Sequence, residues 1–118
     1  MIAKTGFIGL GTMGKWMALN MLKAGFPVRV YDINPAAIPF LTGQGAATAD
    51  SPAEVAGQVD WLFLSLPDTE VVEKAIFGEN GVAQGAPPGL VVVDLSTIGY
   101  IPTLEINRRL LEKGILFA

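Results

Sequence analysis

Short apolar runs alternate along this chain with stretches whose apolar residues recur every three to four positions. The runs are KTGFIGL (4–10), PVRVYD (27–32), WLFLSL (61–66) and LVVVDL (90–95). Near-continuous apolar character of this kind predicts strands covered on both faces. The weaker segments GAATA (45–49) and ILFA (115–118) predict a third and a sixth strand. Between them the spacing predicts helices. The first runs from Met13 to Ala24 and stops at Gly25. A short one is capped by Asn34 and opened by Pro35, and Pro39 breaks or restarts it. Ser51, Pro52 and Glu54 form a capping box in front of another. Asp68 caps a helix from Thr69 to Phe77, and a last one spans Ile101 to Lys113, ending at Gly114. GENG (78–81) and GAPPG (85–89) read as turns. Regular alternation of strand and helix predicts an α/β fold with a doubly wound parallel sheet in three layers, α/β/α.

Composition narrows the function more than the fold. With 118 residues the chain makes one domain, and 51% hydrophobic residues with 14 glycines suit a covered sheet. A net charge of −3 without a basic cluster points away from nucleic acid and acidic membranes. Cysteine and histidine are both absent, which removes disulfides, thiolate chemistry and histidine-based triads, and leaves no ordinary metal site. The apolar runs are too short to span a bilayer, and MIAKTGFIG reaches the first strand with no room for a signal sequence. A cytoplasmic protein is the expectation.

The chemistry is concentrated in GFIGLGTMGKWM (6–17), which fits two phosphate loops. Gly9, Gly14 and Lys15 fit the start of the triphosphate loop G-x-x-x-x-G-K-[ST]. That loop needs a hydroxyl after the lysine to hold magnesium, and Trp16 offers only an indole N–H. It also needs a carboxylate partner for the ion, for which Asp94 is the one candidate. Gly9, Gly11 and Gly14 fit G-x-G-x-x-G instead. This dinucleotide fingerprint requires a preceding strand, a following helix and an acidic residue ending the next strand. All three are present, and Asp32 is the acid. Gly9 permits the turn, Gly11 the approach of backbone to pyrophosphate, and Gly14 the close packing of helix on strand. The helix that begins near Thr12 points its free N–H groups at the phosphates.

Plainer readings compete with some of these. Asp32 can cap the piece that starts at Asn34, and Ser96 and Thr97 can cap the last helix. Met13, Met17 and Met21 recur every four residues as core packing does. Trp61 opens a buried strand and reads as structural. Lys15 and Lys74 read as solvated.

FIGLGTMGKWMALNMLKAGFPVRVYDINP (7–35), LSLPDTEVVE (64–73) and DLSTI (94–98) together resemble the N-terminal domain of the β-hydroxyacid dehydrogenases. This family includes 3-hydroxyisobutyrate dehydrogenase, tartronate semialdehyde reductase and 6-phosphogluconate dehydrogenase. The resemblance covers residues 5 to 118 and implies a Rossmann-type fold binding NAD, with NADP a less favoured alternative. It implies hydride transfer between nicotinamide and a small 3-hydroxy acid or its semialdehyde. By position, Gly9, Leu10, Gly11, Thr12, Met13 and Gly14 would hold the pyrophosphate and Asp32 the adenosine ribose. Leu66 and Pro67 would line the nicotinamide side, Val71 would lie beside the cofactor, Thr97 would touch the nicotinamide end and Ser96 the substrate pocket. Trp16, Pro39 and Gly99-Tyr100 depart from the family's usual residues. The family's catalytic lysine belongs to a helical domain beyond the sixth strand. The resemblance therefore implies a chain of one dinucleotide-binding domain, 1–118, truncated before the helical substrate domain and inactive alone. A stand-alone nucleotide-binding or interaction module without catalysis is the alternative. The last strand is expected at the sheet edge, with Ile115, Leu116 and Phe117 near the surface, favouring self-association.

Overall fold

The computed structural model describes residues 2–96 and 98–118, with Thr12 described by its backbone alone. Six parallel strands form one sheet in the order β3-β2-β1-β4-β5-β6. They are β1 (Thr5–Ile8), β2 (Val28–Tyr31), β3 (Ala47–Thr48), β4 (Trp61–Leu64), β5 (Val91–Asp94) and β6 (Leu116–Phe117). The helices are α1 (Thr12–Lys23), α2 (Ile38–Thr42), α3 (Pro52–Ala56), α4 (Thr69–Phe77), α5 (Val82–Gly85) and α6 (Tyr100–Leu111). This is the doubly wound sheet that the alternation predicts, in the Rossmann-type form that the resemblance implies.

Alternate side chains of β1, β2 and β4 feed two separate cores, as a pleated strand requires. Phe7, Val28 and Val30 join Ala18 and Leu19 of α1 and Leu41 of α2. On the other face Ile8, Leu62, Leu64 and Val92 pack with Val55, Val72, Ile76, Val82, Ile106 and Leu110 from α3 to α6. Chain order reverses between β1 and β4, so a crevice opens at the carboxyl ends of these two strands, where open α/β sheets bind ligands.

The local signals act as their chemistry requires. Asn34 accepts from the Ala36 N–H at 3.1 Å, Ser51 from Glu54 at 3.1 Å and Asp68 from Val71 at 3.0 Å. Only the serine half of the capping box forms among the described residues. Pro39 restarts the chain as α2 after a single 3₁₀ turn at Pro35–Ala37. Gly99 precedes α6 without a side-chain cap.

Several expectations are corrected. Ile115 is fully buried, whereas Leu116 is 53% exposed and Phe117 half-buried; adjacent residues of a strand point to opposite faces, and Ile115 points under α6. Met13 is exposed, so only Met17 and Met21 of the methionine stripe reach the core. Trp61 is exposed as well, at the open end of its strand. The four-residue α5 lies between segments read as turns.

Candidate dinucleotide site

The segment after β1 is held from three directions by backbone and one carboxylate. The Gly9 N–H donates to the Tyr31 carbonyl at 3.1 Å, and the Ser65 N–H to the Ile8 carbonyl at 3.0 Å. Gly9 has φ +94°, and a Cβ there would run into the Ser65 carbonyl. A Cβ on Gly14 would run into the Gly9 carbonyl. Only glycine fits at either position, because one backbone lies where a side chain would start. A Cβ on Gly11 meets nothing within 4 Å, so this residue faces the open side. Among the described residues no side chain caps α1, and its first-turn N–H groups are available to an anion.

Asp32 is the second fixed point. Its Oδ2 accepts from the Leu10 N–H at 2.6 Å and its Oδ1 from the Asn34 N–H at 3.0 Å. The capping reading of Asp32 is thus partly correct, since it does order the Asn34 turn. Each carboxylate oxygen retains a further lone pair for a ligand hydroxyl.

Two cavities flank this carboxylate. One of about 350 Å³ is lined by Gly11, Lys15, Trp16, Asn34 and Ala36 besides Asp32. The other, about 150 Å³, is bounded by Gly9, Tyr31, Ile33, Leu66, Val71 and Ala75, with Lys74 and Glu79 on its lining. Gly9, Leu10, Gly11, Gly14 and Asp32 therefore come together, and Leu66 and Val71 join them. Leu10 borders the larger cavity; its side chain is buried in the core and its N–H is held by Asp32. Met13 sits in the first turn of α1 with its side chain exposed, and Pro67 is exposed outside both linings. Thr97 and the Thr12 side chain lie outside the described residues.

The third turn, after β5, is tied to the others. The Ser96 N–H donates to Asp94 Oδ1 at 2.9 Å, and Ser96 Oγ accepts from the Leu66 N–H at 2.7 Å. Ser96 thereby fixes the turn after β4, and no helix-capping bond of its side chain is found among the described residues. Asp94 Oδ2 is buried and finds no hydrogen-bond partner among the described residues.

Sequence reasoning missed what surrounds Asp32. Lys15 is half-buried, with its Nζ 4.7 Å from the Trp16 ring centroid and 5.3 Å from that of Phe40. That departs from a solvated lysine. Lys74 is exposed as expected, yet it borders the smaller cavity. The pairing of Lys15 with Phe40 is tertiary and leaves no local signal. The adjacency of Lys15 and Trp16 was visible.

Comparison with known proteins agrees with this geometry. A family model described as the NAD binding domain of 6-phosphogluconate dehydrogenase matches residues 4–118. The 3-sulfolactaldehyde reductase of Escherichia coli (strain K12) is 38% identical over 113 residues, which make up 96% of this chain and 38% of that protein. A solved 3-hydroxyisobutyrate dehydrogenase from Salmonella typhimurium superposes with TM-score 0.90 at 34% identity, over 98% of this chain and 40% of that one. Psf3, solved in complex with NADP+ and 2-OPP, superposes with TM-score 0.90 at 27% identity, over 96% and 40%. The chain thus spans about two fifths of the length of these relatives. Its fold, its glycine loop with Asp32 and the match over residues 4–118 agree: the chain belongs to the family of the NAD-binding domain of 6-phosphogluconate dehydrogenase.

Proposed function

We propose that residues 1–118 form the cofactor-binding domain of an oxidoreductase that moves a hydride between nicotinamide and a small 3-hydroxy acid or its semialdehyde. The observation that carries this is the Asp32 carboxylate, bonded to the glycine loop at Leu10 and standing between two cavities. Gly9 to Gly14 hold the pyrophosphate, chiefly through N–H groups, since the Leu10 side chain is in the core. Asp32 takes the ribose hydroxyls, and the smaller cavity, walled by Ile33 and Val71, accepts a flat base. Leu66 and Pro67, and Ser96 and Thr97, stand on the turns after β4 and β5, which lead toward nicotinamide and substrate. The names of the relatives support a short acid bearing an aldehyde or alcohol as substrate. A cytoplasmic location for the reaction is part of this proposal.

NAD is preferred over NADP. A 2′-phosphate would sit a few Å from Asp32, and two unit charges 4 Å apart repel by about 4 kcal/mol at an effective dielectric of ~20. Screening leaves about 1–3 kcal/mol, on the order of ten- to a hundredfold in affinity. Titration calorimetry with both cofactors tests the reading. Binding of neither refutes the site; equal or tighter NADPH binding refutes the preference alone.

The chain by itself transfers no hydride, because the general base that such a reaction needs, worth ~10²- to 10⁴-fold, is expected on a part of the enzyme beyond residue 118. Turnover by the isolated chain at the rate of a complete relative would overturn this. A non-catalytic nucleotide-binding module is the second reading, favoured only in that the ribose and phosphate contacts need nothing past Ala118. Activity of a longer product of the same gene separates the two. Self-association is also proposed, through β6 and the sheet face beside it. Trp61, Val91 and Leu116 are side by side in register, away from β1 and β2, against which α1 packs. Trp61 and Leu116 are 44% and 53% exposed.

A further inference from the structure

Lys15 stands in the first turn of α1 with its ammonium over two aromatic rings. Trp16 and Phe40 meet edge to face, with centroids 5.9 Å apart and planes at 74°. Ring faces attract a cation without neutralising it, and Lys15 forms no ion pair among the described residues. The charge is therefore held in place and still available. It lines the larger cavity together with Asp32, Gly11 and Asn34.

The position of Asp32 decides what this cation faces. Its carboxylate is anchored at both oxygens, to Leu10 and Asn34, so it does not swing aside when a ligand arrives. A ribose bound to it directs its base into one cavity and leaves the other beside its hydroxyl edge. The smaller cavity has the apolar walls that suit the base, through Ile8, Ile33, Val71 and Ala75. The larger has about 350 Å³ and a cation, which suits a compact anion carried on the ribose. Asp32 repels that anion and Lys15 attracts it, both from the lining of one space.

From this we infer that Lys15 is a second specificity-determining residue, forming with the Asn34 turn a subsite for a phosphate group on the adenosine ribose. It acts against Asp32 and sets the residual affinity for NADPH. The inference rests on the dinucleotide reading and goes beyond it, since the preference for NAD then results from two opposed charges. Replacing Asp32 alone exposes a phosphate site that is already built.

The test is calorimetric titration of the full chain with NADH and NADPH, for the wild type, Lys15→Met, Lys15→Arg, Asp32→Asn and the Lys15→Met/Asp32→Asn pair. Methionine keeps an apolar stem against Trp16 and Phe40, so packing is preserved. Lys15→Met raises the dissociation constant for NADPH about tenfold relative to that for NADH, as loss of one charge-assisted contact does. Lys15→Arg keeps the wild-type ratio to within about threefold. Asp32→Asn tightens NADPH binding, and the added Lys15→Met removes that gain. Salt weakens NADPH binding to Asp32→Asn more steeply than to the double variant. Equal effects of Lys15→Met on both cofactors, or a double variant that retains the gain, overturns the inference and leaves the dinucleotide site standing. A wild type that binds neither cofactor overturns the site, and this subsite with it.

Discussion

The turn after β1 and the β6 side of the sheet are built on opposite principles. At the first, backbone lies against backbone: Gly9 against Ser65, Gly14 against Gly9, and the Leu10 N–H against Asp32. These contacts limit the movement of the loop, and the cavities lie outside them. On the β6 side the strands pair normally, yet Trp61, Leu95 and Leu116 are more than 40% exposed, and Tyr100, Ile101, Leu104 and Leu111 of α6 are exposed too. The first region is closed by its own main chain and presents polar groups. The second is open and apolar, as surfaces that meet other protein are. Recognition of a small anion needs fixed donors, whereas a protein contact needs area; this sheet supplies the first at the carboxyl ends of its central strands and the second on its β6 side.

The contrast is broken most severely at Gly14. Gly14→Ala forces a methyl group into the Gly9 carbonyl, and the loop must move. We expect dinucleotide affinity to fall more than about a hundredfold, with overpacking costing about 1–3 kcal/mol of stability. Calorimetry and a chemical denaturation curve measure the two. Affinity close to wild type would mean that the loop is not closed by its backbone.

Asp32→Ala follows. The Leu10 and Asn34 N–H groups lose their acceptor, worth about 1–3 kcal/mol of stability where they are screened from water. NADH affinity should drop by about tenfold or more, since the ribose contacts are lost too. A variant that loses cofactor without losing any stability would show that Asp32 does not brace the loop.

Leu116→Lys sharpens the other side. It places a charge in the exposed row beside Val91 and on an edge strand, where lysine opposes strand pairing. Light scattering should show the wild type associating and the variant monomeric, with stability changed by no more than about 0.5 kcal/mol. A wild type monomeric at high concentration would remove the contrast.

The smallest effect is expected on the solvent side of α6. Arg108 pairs with Glu105 at 2.6 Å and Glu112 at 2.9 Å, all three exposed. The hydrogen bond from Arg108, aided by its charge and that of Arg109, holds the Glu105 carboxyl below its usual value. A lowered folded-state value means that any stabilisation is present at neutral pH and is lost as pH falls through the acid range. Arg108→Gln should leave the melting temperature at pH 7 within error, and moderate salt should mimic the change. A large shift would reveal a packing role for Arg108 that its exposure does not suggest.

What could be read from the residues follows the same division. The strands were legible because four apolar runs are too short and too continuous for anything else, and the glycines with Asp32 because dinucleotide chemistry demands them at those intervals. Met13, Trp61 and Ile115 were misplaced because periodicity identifies an apolar residue without saying whether a neighbour covers it. α5 escaped because four residues carry too little period to stand out from the flanking turns. The Lys15 cluster depends on Phe40 of α2, whose approach to α1 is set by the restart at Pro39 and by Leu41 entering the core beside Ala18.

The two tryptophans happen to mark the two regions. Trp16 forms part of the wall of the larger cavity, while Trp61 opens β4 at the end of the sheet away from the crevice. Light absorbed by the indoles can therefore be sorted by position. Emission from Trp16 changes when the space beside Asp32 fills, and emission from Trp61 changes when the apolar row is covered. A Trp16→Phe chain retains only the second signal and a Trp61→Phe chain only the first, so ligand capture and chain association can be followed separately in one cuvette without attaching any label.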